Sequence, residues 1–190
     1  MNLPNGMTLF RVVLTPVFMI LMLAQFPHHY IAALTVFVIA SITDALDGQL
    51  ARRHGRITDF GKFMDPLADK MLTTAAWLCF MDLGLGVGMI WAVIIVLARE
   101  FLVTSLRLMA AKSGQVIAAS LWGKIKTAVQ MAAIIMTIFF EYLISFEGFP
   151  VAAAGPLRTV YSVVIWVSVA MTVLSGAAYL GKNRSYLNSK

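Results

Sequence analysis

Four aspartates, Asp44, Asp47, Asp65 and Asp69, sit on stretches otherwise apolar enough to cross a membrane. A carboxylate at mid-bilayer costs roughly 2.5–3.5 kcal/mol on insertion scales, so four left bare would cost on the order of 10 kcal/mol and call for compensating cations. Asp44 and Asp47 are three residues apart and Asp65 and Asp69 four apart, so on helices each pair shares one face, a turn apart. A short basic turn, Arg52 to Arg56, separates the pairs and makes the two segments an antiparallel hairpin whose acidic faces converge near its mouth. At 1.5 Å per residue Asp44 lies about 12 Å below Arg52, inside the membrane but close to its edge. Four carboxylates with no cysteine and no nearby histidine pair favour a hard divalent cation, Mg²⁺ or Mn²⁺, over zinc. Two ions suit four aspartates better than one. A dinuclear cluster is a recurrent device for phosphoryl chemistry, because it neutralises phosphates and stabilises the attacking and leaving oxygens. The plainer reading, ion pairs with Arg52, Arg53, Lys62 and Lys70, would not require helical phasing on both arms.

Gly48 and Gly61 flank the aspartates, one on each arm, where a missing side chain lets a ligand approach the backbone. Ala51 extends that small surface, and Arg52, four residues after Gly48, shares its face. Together they suggest a flat or bulky anionic ligand between the helices, although each glycine taken singly fits close helix packing equally well. Pro66 removes a backbone donor near the start of the second arm and is expected to loosen it.

The elements that position these groups are membrane helices. Of 190 residues 60% are apolar and only 13% charged, and the mean hydropathy is +0.84, values foreign to a soluble domain. A span needs roughly 20 apolar residues, and six such stretches run at about 8–26, 31–53, 60–81, 88–112, 119–143 and 157–181, expected as one transmembrane catalytic domain over 1–190. Pro27-His28-His29, Arg53 to Arg56, Gly84-Leu85-Gly86, Ser113-Gly114, and Phe149-Pro150 through Gly155-Pro156 mark the breaks. Met1 to Gly6 precede the first span, and no removable signal peptide is expected.

Fifteen Lys and Arg against nine Asp and Glu leave a net charge of +6, which suits anionic headgroups or anionic substrates. All fifteen basic residues except Arg158 fall in the half shared by the N-terminus, the even connections and the C-terminal tail. The positive-inside rule makes that half cytoplasmic and puts both termini there. Nucleic acid is not an expected partner, since no soluble basic module remains once the spans are removed. The single cysteine, Cys79, excludes disulfides within the chain and reads as a buried hydrophobe. His28 and His29 fall on the side away from the aspartates, while Trp77, Trp91, Phe139, Phe140, Tyr161 and Trp166 read as packing or lipid-facing groups. Arg99 and Glu100 interrupt the fourth span; adjacent helical residues diverge by about 100°, so separate partners are expected for them, with Glu100 and Arg107 on one face and structural ion pairing between helices expected there rather than catalysis.

Read as one string, Asp44-x2-Asp47-Gly48-x2-Ala51-Arg52-x8-Gly61-x3-Asp65-x3-Asp69 resembles the full signature of the CDP-alcohol phosphotransferases, matching at every fixed position. Pro4-Asn5 with Thr8 and Arg11, Arg99-Glu100 to Arg107, and Gly123 to Thr127 with Gln130 are similar to the bacterial phosphatidylglycerophosphate synthases. Ala45 departs from an aromatic common in relatives, outside the signature. The resemblance implies a six-helix fold, usually a homodimer, in the bacterial inner membrane with its active site facing the cytoplasm. It implies displacement of CMP from CDP-diacylglycerol by the hydroxyl of a small alcohol. It further implies that Asp44, Asp47, Asp65 and Asp69 hold the divalent ions, that Asp69 is also the base, and that Gly48, Ala51, Arg52 and Gly61 line the cytidine and diphosphate site.

No nucleophilic Ser or Cys is marked out, so direct displacement is favoured. For glycerol 3-phosphate, the acceptor implied by the flanking resemblance, the dianionic phosphate needs further cations. Arg107 and Lys124 match phosphate-holding residues of relatives, and Lys126 and Arg11 lie at the same height. Inositol phosphate, serine or phosphatidylglycerol remain alternative acceptors. From other classes, a divalent-cation transporter would put its acids across the membrane rather than at one face, and an intramembrane prenyltransferase carries two separated Asp-rich motifs on a larger bundle.

Overall fold

In hydrocarbon a backbone amide finds no partner except the chain itself, and long apolar runs broken by Gly, Pro and polar residues answer that constraint as helices. The structure, a computed structural model, describes residues 3–54, 59–112 and 121–182, with side chains throughout except at 3–5, 7, 44–54, 59–67, 69 and 111–112. Among the described residues all regular structure is helical: α1 (Leu3–Leu23), α2 (His29–His54), α3 (Asp59–Asp82), α4 (Met89–Lys112), α5 (Leu121–Ile144) and α6 (Val151–Lys182). By length and composition α4, α5 and α6 are apolar enough to cross a membrane.

These six helices coincide with the six expected apolar stretches, apart from two of their ends. α1 begins at Leu3 rather than near residue 8, so Pro4 to Gly6 belong to it; proline is tolerated in a first turn, whose amides have no helical partner. α6 begins at Val151 and takes in Gly155-Pro156, which was expected to lie in a break. Pro156 frees only the carbonyl of Ala152, which is exposed in the first turn, and the Pro150 carbonyl accepts the Ala153 amide at 2.9 Å. α3 runs without interruption through Pro66.

α1 packs on α2 and α3, α5 on α6 and α2, and α4 on α6 and α3, so the acidic hairpin leans on α1 while α4 to α6 close the other side. The core holds Phe18 and Met22 of α1, Phe37 of α2, Trp77 and Phe80 of α3, Ile134 and Ile138 of α5, and Tyr161 and Ile165 of α6. Cys79 is buried there, as its sequence setting implied. Hydroxyls inside the bundle bond to their own helix: Thr15 to the Arg11 carbonyl at 3.0 Å, Thr137 to Ala133 at 2.8 Å and Thr172 to Ser168 at 2.8 Å.

α3 stops in a Schellman cap. The Leu85 amide reaches the Phe80 carbonyl at 2.8 Å and the Gly84 amide reaches Met81 at 3.3 Å, with Gly84 at φ 66°. Leu85 then buries itself in the core, and the Val87 carbonyl accepts the Trp166 indole N–H at 2.9 Å, tying the turn to α6.

Candidate active site

Asp44 and Asp47 lie on α2 and Asp65 and Asp69 on α3, but their side chains, and those of Gly48, Ala51, Arg52 and Gly61, are outside the described residues. The backbone register is informative. Phe37 and Ala40, seven residues before Asp44 and Asp47, are both at 0% exposure. Leu72 and Ala76, seven residues after Asp65 and Asp69, are at 3% and 0%. Seven residues are two turns less about 20°, so each aspartate position continues a stripe that is fully buried deeper in the bundle. Ala68, between Asp65 and Asp69, is fully buried as well. Four carboxylates provide the all-oxygen donor set that a hard divalent ion takes, and among the described residues no three His, Cys, Asp or Glu side chains come together elsewhere. The residues therefore fit a divalent metal at this hairpin.

One helical position beyond Asp69, Lys70 opens a second polar assembly centred on Glu100 of α4. Glu100 Oε1 accepts Lys126 Nζ of α5 at 2.5 Å and Arg99 Nη1 at 2.9 Å, and Oε2 lies 3.7 Å from Lys70 Nζ. The Lys70 ammonium also donates to Thr104 Oγ1 and, at 3.4 Å, to the Glu100 carbonyl. Arg99 Nη2 donates to Ser175 Oγ of α6 at 2.6 Å. Gly176 lets α6 come this close, because a Cβ there would stand 3.0 Å from Arg99 Cγ. One carboxylate thus joins α3, α4 and α5, and Arg99 extends the assembly to α6.

This arrangement corrects the expected separation of Arg99 from Glu100. Their Cβ atoms diverge, but the guanidinium curls back along α4 and the two pair directly. Arg107 is not the partner of Glu100; its guanidinium lies 5.7 Å over the Tyr179 ring of α6. Of the four expected phosphate-holding cations, Lys126 is buried in the Glu100 assembly, and Arg11 is buried on an α1 stripe with Thr8, Thr15, Phe18 and Met22. Arg107, towards the C-terminus of α4, and Lys124, in the first turn of α5, are exposed. Thr104 and Ser175 carried no sequence signal, and Lys70, read from the sequence as a neighbour of the aspartates, carried none for Glu100, since these groups meet only through helix packing.

The opposite end of the bundle holds a different set. Buried Glu141 accepts Tyr161 Oη at 2.7 Å and Arg158 Nε at 3.2 Å. His28, at φ 65°, stacks near Tyr142 and Phe146, and His29 Nδ1 meets the Leu21 carbonyl at 3.1 Å. Both histidines lie at the end of the bundle away from the aspartates, as expected. Tyr161 and Trp77 pack in the core, whereas Trp91 faces outward.

Residues 1–174 match the family model described as CDP-alcohol phosphatidyltransferase. The chain belongs to that family. Among relatives of this family member, a Bacillus subtilis (strain 168) protein named CDP-diacylglycerol–glycerol-3-phosphate 3-phosphatidyltransferase is 41% identical over 194 residues, covering 96% of this chain and 95% of its own. A Mycobacterium tuberculosis protein named probable phosphatidylglycerophosphate synthase is 38% identical over 184 residues, covering 95% of this chain and 81% of its own. A Haemophilus influenzae protein bearing the same name as the Bacillus relative is 38% identical over 135 residues, 70% of this chain and 73% of its own.

Proposed function

We propose that this protein transfers the phosphatidyl group of CDP-diacylglycerol to glycerol 3-phosphate, forming phosphatidylglycerophosphate and CMP. What carries the reading is that the aspartate positions of a CDP-alcohol phosphatidyltransferase continue two buried stripes, in a chain 41% identical to a relative named for this reaction.

Asp44, Asp47, Asp65 and Asp69 would hold Mg²⁺ or Mn²⁺, two ions by donor count; a divalent ion bound there neutralises the pyrophosphate and lowers the cost of charge on the departing oxygen. Gly48, Ala51, Arg52 and Gly61 line the cytidine and diphosphate. Asp69 accepts the proton of the acceptor hydroxyl. The hydroxyl oxygen bonds to the phosphorus carrying diacylglycerol, the bond from that phosphorus to the bridging oxygen breaks, and CMP departs with that oxygen. Arg107, Lys124, Lys126 and Arg11 receive the acceptor phosphate, and the cation excess around Glu100 supports a phosphorylated acceptor over a neutral one.

In this reading residues 1–190 form one catalytic domain of six spans in a bacterial cytoplasmic membrane, with both termini and the hairpin mouth on the cytoplasmic side. The distribution of basic residues supports that orientation. The active form is a homodimer surrounded by phospholipid.

The test supplies purified protein with CDP-diacylglycerol, Mg²⁺ and a panel of acceptors, and measures CMP. Release with glycerol 3-phosphate above serine, inositol phosphate and phosphatidylglycerol is expected. No CMP release with any acceptor would remove the assignment.

A further inference from the structure

We infer that Glu100 is a positioning residue for the acceptor side of the proposed reaction: it holds Lys126 in place and, through Lys70, sets the part of α3 that carries Asp69. The inference rests on the proposed transfer to a phosphorylated acceptor. Among the described residues Glu100 is one carboxylate among three cations, Lys70, Arg99 and Lys126, so this set carries two positive charges more than it neutralises. A group serving only to join helices needs no surplus of cations over its one carboxylate. The surplus equals the charge of a dianionic phosphomonoester. Glu100 keeps mutually repelling cations side by side until such an anion arrives.

Geometry adds leverage on the hairpin. Lys70 follows Asp69 directly, and its ammonium is fixed three ways on α4, by Glu100 Oε2, the Glu100 carbonyl and Thr104 Oγ1. A helix pinned one residue from Asp69 cannot rotate about its axis without breaking those bonds, and rotation would carry the Asp69 position away from its buried stripe. Lys126 is equally constrained, being buried and bonded at 2.5 Å to Glu100 Oε1. Arg99 is held behind both by Ser175, in the space that Gly176 leaves open. Glu100 therefore links the proton-accepting helix to Lys126, one of the cations assigned to the acceptor, while none of its described partners belongs to the residues assigned to cytidine.

The experiment measures CMP release by wild type, Glu100→Gln and Glu100→Asp, varying glycerol 3-phosphate and CDP-diacylglycerol separately, together with amide hydrogen exchange without substrate. Glu100→Gln is expected to lower kcat/KM for glycerol 3-phosphate about a hundredfold while leaving the KM for CDP-diacylglycerol within about threefold. Glu100→Asp, which keeps the charge, should recover at least about tenfold of the loss. Exchange should rise around Lys70 and Lys126 and stay at wild-type level around Tyr161. If Glu100→Gln fails to fold, Lys70→Met removes one partner without stranding a buried carboxylate and should give the same split. Equal shifts in both KM values, no recovery with Asp, or unchanged exchange at Lys70 would overturn the inference. If wild type releases no CMP at all, the proposed function fails, and the exchange result alone decides whether Glu100 positions α3.

Discussion

Glu100 and Glu141 are both acids placed in apolar helices, yet their surroundings differ in kind. Glu141 has one cation, Arg158, and one phenol, Tyr161, and the set is neutral. Arg158 is 57% exposed and can reach water if the pair breaks. Glu100 meets three cations from three helices, and Lys126 at 6% exposure has no such retreat. A neutral pair whose cation stays in contact with solvent leaves no charge in search of a partner. A buried set with excess positive charge keeps an unspent attraction for an anion. The first arrangement closes one end of the bundle; the second faces the hairpin that carries the aspartates.

Four substitutions would break or sharpen that contrast. The largest effect is expected for Asp69→Asn, which removes the proposed base beside Lys70: CMP release should fall by about 10³-fold while the thermal transition stays near wild type, since loss of a positioned base costs 10²–10⁴. Lys126→Met should raise the KM for glycerol 3-phosphate by about ten- to a hundredfold, with a smaller change in kcat, as steady-state kinetics with each substrate varied will read. Gly176→Leu puts a side chain where a Cβ already stands 3.0 Å from Arg99 Cγ. Displacing Arg99 from Ser175 should raise the same KM about threefold to tenfold and leave that for CDP-diacylglycerol unchanged. Glu141→Gln should be mildest in turnover, within about twofold of wild type, because an amide still accepts the Tyr161 hydroxyl and Arg158 is free to turn to solvent. Its cost should be in stability, about 1–3 kcal/mol by thermal unfolding in detergent. A turnover loss at Glu141 comparable to that at Glu100 would erase the distinction between the two ends.

The helices were legible because apolar length and Gly or Pro breaks follow from local chemistry, and five of the expected spans begin within five residues of an observed helix. α6 was misjudged at its start, since Gly155-Pro156 reads as a break although a proline in the second turn disturbs only one exposed carbonyl. For the aspartates the sequence supplies phase: spacings of three and four put their positions in register with the faces that Phe37, Ala40, Leu72 and Ala76 bury, and their side chains lie outside the described residues. The Glu100 assembly was not legible. A 100° divergence between neighbours describes Cβ directions, and an arginine arm is long enough to undo it. Lys70 and Lys126 come from segments 56 residues apart in sequence, and nothing local relates them.

By itself the amino-acid order determined that the chain is helical and apolar, that its acids fall in phase on two neighbouring segments, and that its positive charge crowds one side. Those are properties of composition and period, which act within a turn or a span. Packing decided which cations share a carboxylate, that Arg11 and Lys126 are buried while Arg107 and Lys124 are not, and that Glu141 has one cation for a partner while Glu100 has three. Such choices depend on how close two helices approach, and that distance is set by small residues such as Gly176 on a helix far away in sequence.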